Sequence, residues 1–292
     1  MTRLTPTSPA RLATTAALCL LPMQVLQAQV AVPLLGVAPA PLATPDAAAP
    51  DGSARQDRWV LGATLASSPA YAGGSARKLG LRPVIAGRVG RWMVSSSSAR
   101  SLAGMDLAGG ISTSVLQNDR WSVGVGARLT HGRSSGDDPV LSGLPNIRSS
   151  LGLRGSVGYT LAPGWRVSGS AQQDVLRGQG LRANLGLGWS TPLPDGWLLN
   201  VSGGVGWANA RAMQTFYGVA PGATQAGRPA WQPGAGLESW GWGLGVSRVL
   251  SPHWRLAGSI GRSTLLGDAA HSPLTQQRSA NVAQVTLAYV GW

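Results

Sequence analysis

The feature that most constrains this chain is a long, regular alternation of apolar and polar side chains. In residues 165–175 the odd positions are mostly apolar, whereas the even positions carry Arg, Ser, Gln and Asp. The same alternation recurs in residues 181–191 and 197–207. A period of two is typical of β-strands with one apolar face, and no segment after Trp59 shows the period of a helix. The sequence therefore predicts an all-β protein.

The lengths of these strands distinguish a membrane barrel from a soluble β-sandwich. Each run extends over ten or more residues, which exceeds the usual strand of a soluble sheet and suits a tilted strand that crosses a bilayer. A sandwich would bury its apolar face in a core rich in Ile, Leu, Val and Phe, and it would connect its strands evenly at both ends. The connections also fall into two sets, short turns near 87–92, 116–121, 161–165, 192–197 and 250–254, and long polar loops at 131–146, 211–234 and 265–278. Short turns on one side and long loops on the other are typical of outer-membrane barrels, whose short turns face the periplasm.

Tryptophan marks one end of the predicted barrel. Each short turn is followed by a Trp at the start of the next strand, and another Trp begins the first strand: Trp59, Trp92, Trp121, Trp165, Trp197 and Trp254. The indole ring is largely apolar but carries an N–H group, so it prefers the membrane–water interface. These six residues are predicted to form an aromatic girdle at the periplasmic interface.

The apolar runs predict a transmembrane antiparallel up-and-down β-barrel of about twelve strands over residues 57–292. The predicted strands lie near 57–66, 79–88, 91–98, 102–115, 120–131, 147–161, 164–176, 179–192, 196–210, 236–250, 253–264 and 279–292. An even number of strands returns the C-terminus to the periplasmic side, and the chain ends on an aromatic residue.

The first 28 residues have the layout of a secretory signal peptide. Two arginines precede an apolar stretch at 12–26, and the small residue Ala28 marks the expected cleavage point. The only cysteine, Cys19, lies inside this leader, so the mature chain is expected to contain no disulfide and no thiolate metal site. Residues 29–56 are rich in Ala and Pro and are predicted to be a periplasmic N-terminal segment. The expected location is the outer membrane after export.

The charge pattern narrows the class of partner. The formal net charge is +13, but the basic residues are single, scattered arginines without a basic run or an aromatic nucleic-acid motif. Nucleic acid is therefore not expected as a partner. Outer-membrane lipid, lipopolysaccharide or anions in a polar lumen suit scattered arginine better. No cofactor is expected.

Several segments together resemble the MipA/OmpV family of outer-membrane proteins. They are "GATLASSPAYAGGSARKLGLRPVIAGRVGRWMVSS", "FYGVAP", "SPHWRLAGSIGRSTLLGDAAHSPL" and the aromatic end, and the similarity covers roughly residues 58–292. The chain departs from the family pattern in three places. Phe216 and Tyr217 are exchanged, Gly73-Gly74-Ser75 replaces a tighter Gly-Ser, and Trp292 stands where a Phe is usual.

The resemblance implies a non-enzymatic role. The best-known member of the MipA/OmpV family is similar to a scaffold that joins a lytic transglycosylase to a bifunctional murein synthase. Other members of the family have been described as pores or adhesins. The resemblance thus predicts contact with a murein hydrolase and a murein synthase. A small-solute or anion-preferring pore is the alternative.

Two groups of residues are candidates for function inside the barrel or at its mouth. Arg166, Arg182 and Asp174 lie on polar strand faces and should point into the lumen, either as paired charges that brace a narrow interior or as an anion-selective constriction. The loop 211–234 is long and aromatic, and it could fold into the mouth as a plug or present a recognition surface. Its candidate residues are Phe216, Tyr217, Gly218, Val219 and Trp231.

Catalytic and metal chemistry receive weaker support. The three histidines are too far apart in sequence to suggest a metal pair, and the two adjacent carboxylates of "GDDP" supply few ligands for a cation. His131 has Ser134, Ser135 and Asp137 nearby, so a hydrolase at the barrel rim is a further alternative. Serine and aspartate are common in loops, and the sequence therefore predicts a protein that is not an enzyme.

Overall fold

The computed structural model describes residues 58–96, 110–223 and 228–291. The expected signal peptide, the Ala/Pro-rich segment 29–56 and the terminal Trp292 lie outside these described residues. The strands are β1 (Arg58–Pro69), β2 (Arg77–Val89), β3 (Trp92–Ser95), β4 (Gly110–Gln117), β5 (Trp121–Thr130), β6 (Ser150–Ala162), β7 (Trp165–Asp174), β8 (Leu181–Pro192), β9 (Trp197–Ala208), β10 (Gly236–Val249), β11 (Trp254–Leu265) and β12 (Ser279–Gly291). The two α-helices are α1 (Ala210–Tyr217) and α2 (Gly267–His271).

The strands form one closed antiparallel barrel. Each strand pairs with its neighbours in sequence, and β1 also pairs with β12 from Trp59↔Gly291 to Ser67↔Ala283. This last ladder removes the free edges of the sheet. The predicted twelve-stranded up-and-down barrel is confirmed, and every predicted strand overlaps an observed one. Parts of the third and fourth predicted strands fall within 97–109, outside the described residues.

The two faces of the sheet differ as the alternation predicts. Outward side chains such as Leu79 and Leu81 are both 72% exposed, whereas the inward Val60 and Val84 are fully buried. Exposed large apolar side chains occur on strands all around the barrel, a surface that is unfavourable in water and suited to lipid. No helix in the described part of the chain is long and apolar enough to cross a membrane.

The connections give the barrel two unlike ends. At the short-turn end, two to four residues link successive strands, as at 90–91, 118–120 and 193–196. At the loop end, the connections are 70–76, 131–149, 175–180, 209–235 and 266–278, together with 96–109, which is mostly undescribed. Two of these, 70–76 and 175–180, are short, so long loops do not occupy every position at this end.

The buried side chains inside the barrel lie in clusters near its two ends. One apolar cluster near the short-turn end is formed by Val60, Val84, Ala86, Met93, Ala288 and Val290. Two further clusters lie at the loop end and include residues of the connections. The connections at the loop end are therefore packed structures.

Candidate functional site: the loop layer and the arginine-lined lumen

The described connections at the loop end pack together across the barrel mouth, and we call them the loop layer. It consists of 70–76, 131–149, 175–180, 209–223, 228–235 and 266–278. One of its apolar clusters joins α1 to α2 through Met213, Tyr217 and Ala269. The other joins Tyr71 and Leu141 with Val219 and Leu274, which come from four different connections.

The expectation that no segment after Trp59 has a helical face was wrong for α1, which forms because its first turn is capped and one of its faces is apolar. The Asn209 side chain accepts hydrogen bonds from the backbone N–H groups of Ala212, at 2.9 Å, and Leu181, at 3.1 Å. An Asn at this position satisfies a helix donor that would otherwise lack a partner. Because Leu181 begins β8, the same side chain fixes the helix to the barrel wall.

A charged network holds α1 in the mouth of the lumen. The Tyr217 Oη donates to Glu238 Oε1 at 2.8 Å, and Glu238 forms a salt bridge with Arg182 at 3.0 Å. The Arg182 guanidinium also lies over the Phe216 ring, 3.9 Å from its centroid. Arg182 and Glu238 belong to β8 and β10, so two strands separated by β9 hold the helix at one point.

Further hydrogen bonds connect loops from opposite sides of the barrel. Arg133 Nη1 donates to the Phe216 carbonyl oxygen at 2.9 Å, which links the 131–149 loop to α1. Lys78 Nζ lies 2.9 Å from Asp137 Oδ1, and Gln276 Nε2 donates to Asp138 Oδ1 at 3.1 Å. These contacts join the 131–149 loop to the start of β2 and to the 266–278 connection, so the loop layer bridges the mouth.

The sequence-predicted residues of the 211–234 loop are packed into this layer. Tyr217 and Val219 are 2% and 0% exposed, and Val219 forms an isolated antiparallel bridge with Trp231. Gly218 ends α1, where its N–H donates to the Gln214 carbonyl oxygen. Since the Tyr217 and Val219 side chains are turned away from solvent, the geometry favours the plug interpretation over an exposed recognition surface.

The lumen below the loop layer is rich in arginine. Seven arginines of the described strands lie on inward positions: Arg82, Arg88, Arg128, Arg154, Arg166, Arg182 and Arg255. Only two carboxylates, Asp174 and Glu238, occur in these strands. The interior therefore carries an excess of positive charge among its described residues.

The structure does not pair the three lumen charges that the sequence singled out. Arg166 lies at the start of β7 and donates to Ser122 Oγ, whereas Asp174 lies at the other end of the same strand. Eight residues of extended strand separate them by roughly 26 Å. Arg182 instead pairs with Glu238, a residue that the sequence analysis missed. The signal that could have indicated Glu238 is a single Glu at the start of a strand that follows an aromatic loop.

Comparison with known proteins agrees with the family assignment drawn from the sequence motifs. Residues 61–291 match the family model described as "MltA-interacting protein MipA". The chain belongs to the MipA family. A search of curated proteins finds no match to this MipA-family chain.

The MipA-family barrel is similar to solved outer-membrane proteins at low sequence identity. A loop-deletion mutant of OmpT from Vibrio cholerae has 7% identity and a TM-score of 0.39, with 81% of this chain and 98% of that chain covered. The anion-selective porin from Comamonas acidovorans has 10% identity and a TM-score of 0.38, with 81% and 99% covered.

At the short-turn end of the MipA-family barrel, the six predicted girdle tryptophans are the first or second residues of alternate strands. Trp59, Trp92, Trp121, Trp165 and Trp254 are 42–48% exposed on the outer face, and Trp197 is half-buried. Sequence analysis missed their aromatic partners on the descending strands. Trp121 is tilted against Tyr159, Trp165 against Trp189, and Trp59 stacks on Tyr289. The signal was the alternation itself, which puts Tyr159, Trp189 and Tyr289 on the outward face near the short-turn ends of their strands.

The residues considered for a rim hydrolase have other roles. Ser134 and Asp137 cap a short turn reciprocally, with Ser134 N–H donating to Asp137 Oδ2 at 2.8 Å. Asp137 also binds Lys78. Within the described residues His131 makes no hydrogen bond to Ser134, Ser135 or Asp137, and no group of three or more potential metal ligands occurs there.

The loop layer is predicted to weaken at high pH because of Tyr71. This side chain is 1% exposed, and its Oη donates to the Leu274 carbonyl oxygen at 2.9 Å. Burial, assisted by the nearby Asp138 carboxylate, raises the pKa of Tyr71 from 10.0 to about 12. A raised tyrosine pKa means that the folded state holds the phenol proton more tightly than the unfolded chain. The resulting stabilisation is complete below pH 10.0 and is lost as the pH rises through about 12.

Tyrosinate absorbance measures this ionisation directly. The difference between the titration curves of the unmodified barrel and Tyr71→Phe isolates one phenol, and its midpoint is expected near pH 12. A midpoint at the ordinary tyrosine value would show that Tyr71 is not held in the buried position.

Proposed function

We propose that this MipA-family chain is a closed outer-membrane barrel that works as a structural scaffold for murein-cleaving and murein-synthesising enzymes. The observation that carries the proposal is the loop layer, whose interlocked side chains occupy the barrel mouth. A barrel bridged in this way is better suited to hold partners at the membrane than to pass solutes freely. The family description as an MltA-interacting protein supports a partner from the murein machinery.

The partner surface in this proposal is the short-turn end. Outer-membrane barrels place their short turns in the periplasm, where murein enzymes work. The turns expose Arg91 and Arg120 next to the tryptophans of the next strands, and the Arg91 guanidinium lies 5.5 Å from the Trp92 ring centroid. Exposed charges beside an interface steer association and set its specificity.

The scaffold is tested by the binding of a purified MltA-type lytic transglycosylase to the folded barrel in lipid nanodiscs. Charge reversal of Arg91 and Arg120 to Glu is expected to weaken this binding about tenfold, because two charges at the contact change sign. The matched control reverses Arg148 and Arg278, which are exposed at the loop end, and should leave the affinity unchanged. No binding by the unmodified barrel, or equal loss in both variants, would contradict the proposal.

A second candidate function is an anion-preferring pore that conducts when the loop layer opens. The seven inward arginines against two carboxylates favour it, since a lumen with one sign of charge attracts the opposite ion. Planar-bilayer recording with a salt gradient separates the two functions. Discrete anion-selective steps from the unmodified barrel would favour the pore, and silence from a folded barrel would favour the scaffold.

A further inference from the structure

A polar cavity of about 600 Å³ opens at the loop end, between the 131–149 loop, the 175–180 connection and α1. No Asp or Glu lines it. Four arginines do: Arg133, Arg148, Arg177 and Arg211. Neither of the two salt bridges formed among the described residues involves any of these four.

Two of these arginines are fixed in place by the loop layer. Arg133 is 7% exposed, and its Nη1 is held by the Phe216 carbonyl oxygen at 2.9 Å. Arg177 Nε donates to the Ser149 carbonyl oxygen at 2.9 Å. The carboxylate of Asp174 accepts from the backbone N–H of Arg177 and is itself buried, outside the cavity wall. Because a guanidinium has five N–H donors, one such bond leaves donors for a ligand.

The other two arginines, Arg148 and Arg211, line the cavity with exposed side chains, and neither takes part in a salt bridge within the described part of the chain. The Gln179 side chain donates to the Arg148 carbonyl oxygen at 2.7 Å and thereby holds the backbone at that point. The guanidinium of Arg211 lies over Gly178, where a Cβ would come within 2.9 Å of Nη2. Gly178 also has a φ of 62°, a left-handed conformation that favours glycine. The 175–180 connection is thus shaped to admit the Arg211 side chain.

We propose that this cavity binds a phosphorylated saccharide. The planar guanidinium fork matches two oxygens of a phosphate, and a phosphate monoester carries a charge of about −1.5 to −2 at pH 7, which offsets about two arginines. The volume lies in the range of small-molecule sites and exceeds what a single phosphate ion fills. The Gln179 and Gln214 amides in the wall supply hydrogen-bonding groups for sugar hydroxyls. Such a ligand is either a soluble sugar phosphate or the phosphorylated glucosamine headgroup of lipopolysaccharide.

Isothermal titration calorimetry on the full folded barrel in detergent tests the site with glucose 6-phosphate and, as the neutral comparison, glucose. Glucose 6-phosphate is expected to bind and glucose is not. The double substitution Arg148→Gln and Arg211→Gln should weaken the binding of glucose 6-phosphate about tenfold, because two charge-assisted contacts are lost. The matched control, Arg262→Gln with Arg278→Gln, removes the same charge from exposed positions outside the cavity lining and should bind like the unmodified barrel.

A second titration identifies the source of the ligand. The deacylated, bisphosphorylated glucosamine disaccharide of lipopolysaccharide should bind more tightly than glucose 6-phosphate if the site holds a lipid headgroup, and less tightly if it holds a free sugar phosphate. Binding of neither probe, equal binding of glucose, or equal loss in both double variants would overturn the proposal. Heat-modifiable mobility on a gel confirms that each variant is folded. If a variant fails to fold, the comparison of glucose with glucose 6-phosphate on the unmodified barrel still tests whether the site requires a phosphate.

Discussion

Replacing Glu238 by Ala is expected to release α1 from the mouth and turn a silent barrel into one that passes current. The substitution removes the acceptor of the Tyr217 hydroxyl and the salt-bridge partner of Arg182 together. Loss of one partner of a buried ion pair destabilises by about 3–5 kcal/mol. The lower end of this range of destabilisation applies here, because 24% of the Arg182 side chain remains exposed. The effect falls on the loop layer because the strand ladders of β8, β9 and β10 do not depend on this pair.

Planar-bilayer recording of Glu238→Ala measures the released conductance, and the inward arginines predict that it prefers anions. Glu238→Gln keeps an acceptor for Tyr217 but removes the charge, so it should conduct less often than Glu238→Ala. Asp268→Ala is the matched control, because Asp268 accepts from the Gly234 N–H in the same layer but lies outside the network. A Glu238→Ala barrel that is folded and as silent as the control would show that the network does not hold the mouth closed.

Substitution of Gly62 by Val is expected to prevent most of the protein molecules from closing into a barrel. Gly62 lies in the β1–β12 ladder opposite Ala288, at the seam where the two ends of the sheet meet. A Cβ at this position would lie 2.7 Å from Ala288 Cα and still closer to the Leu287 carbonyl oxygen. Overpacking typically destabilises by about 1–3 kcal/mol, and a clash with backbone allows less relief than one with a flexible side chain. The seam joins residues from the two ends of the described chain. Pairing between the other strands therefore cannot replace a lost β1–β12 ladder.

The measurement is the fraction of protein that migrates as the compact, heat-modifiable form after refolding into detergent. Gly155→Val is the matched control, since a Cβ at Gly155 meets nothing within 4 Å. It adds the same side chain to a strand away from the seam and should fold like the unmodified barrel. Comparable folding of both variants would mean that the seam tolerates wider spacing at Gly62.

The faces of β7 could be predicted from the sequence, whereas the contacts within the loop layer could not. The alternation of 165–175 predicted which side chains of β7 face outward, because that property depends only on neighbours two residues apart. The partner of Arg182 was not predicted, since it depends on how strands β8 and β10 are placed relative to α1. The four arginines of the loop-end cavity likewise come from three connections, 131–149, 175–180 and 209–235, and no local pattern links these connections.

The sequence by itself determined the strands, their inward and outward faces, their number, and the tryptophans at strand starts, because hydropathy period and turn chemistry act over a few residues. The tertiary structure decided the closure of the mouth, the Arg182–Glu238–Tyr217 network and the arginine cavity. The Arg133–Phe216 contact joins residues 83 positions apart. Such contacts arise only after the closed barrel has brought its connections to one end, since barrel curvature and loop packing together set the distances between them.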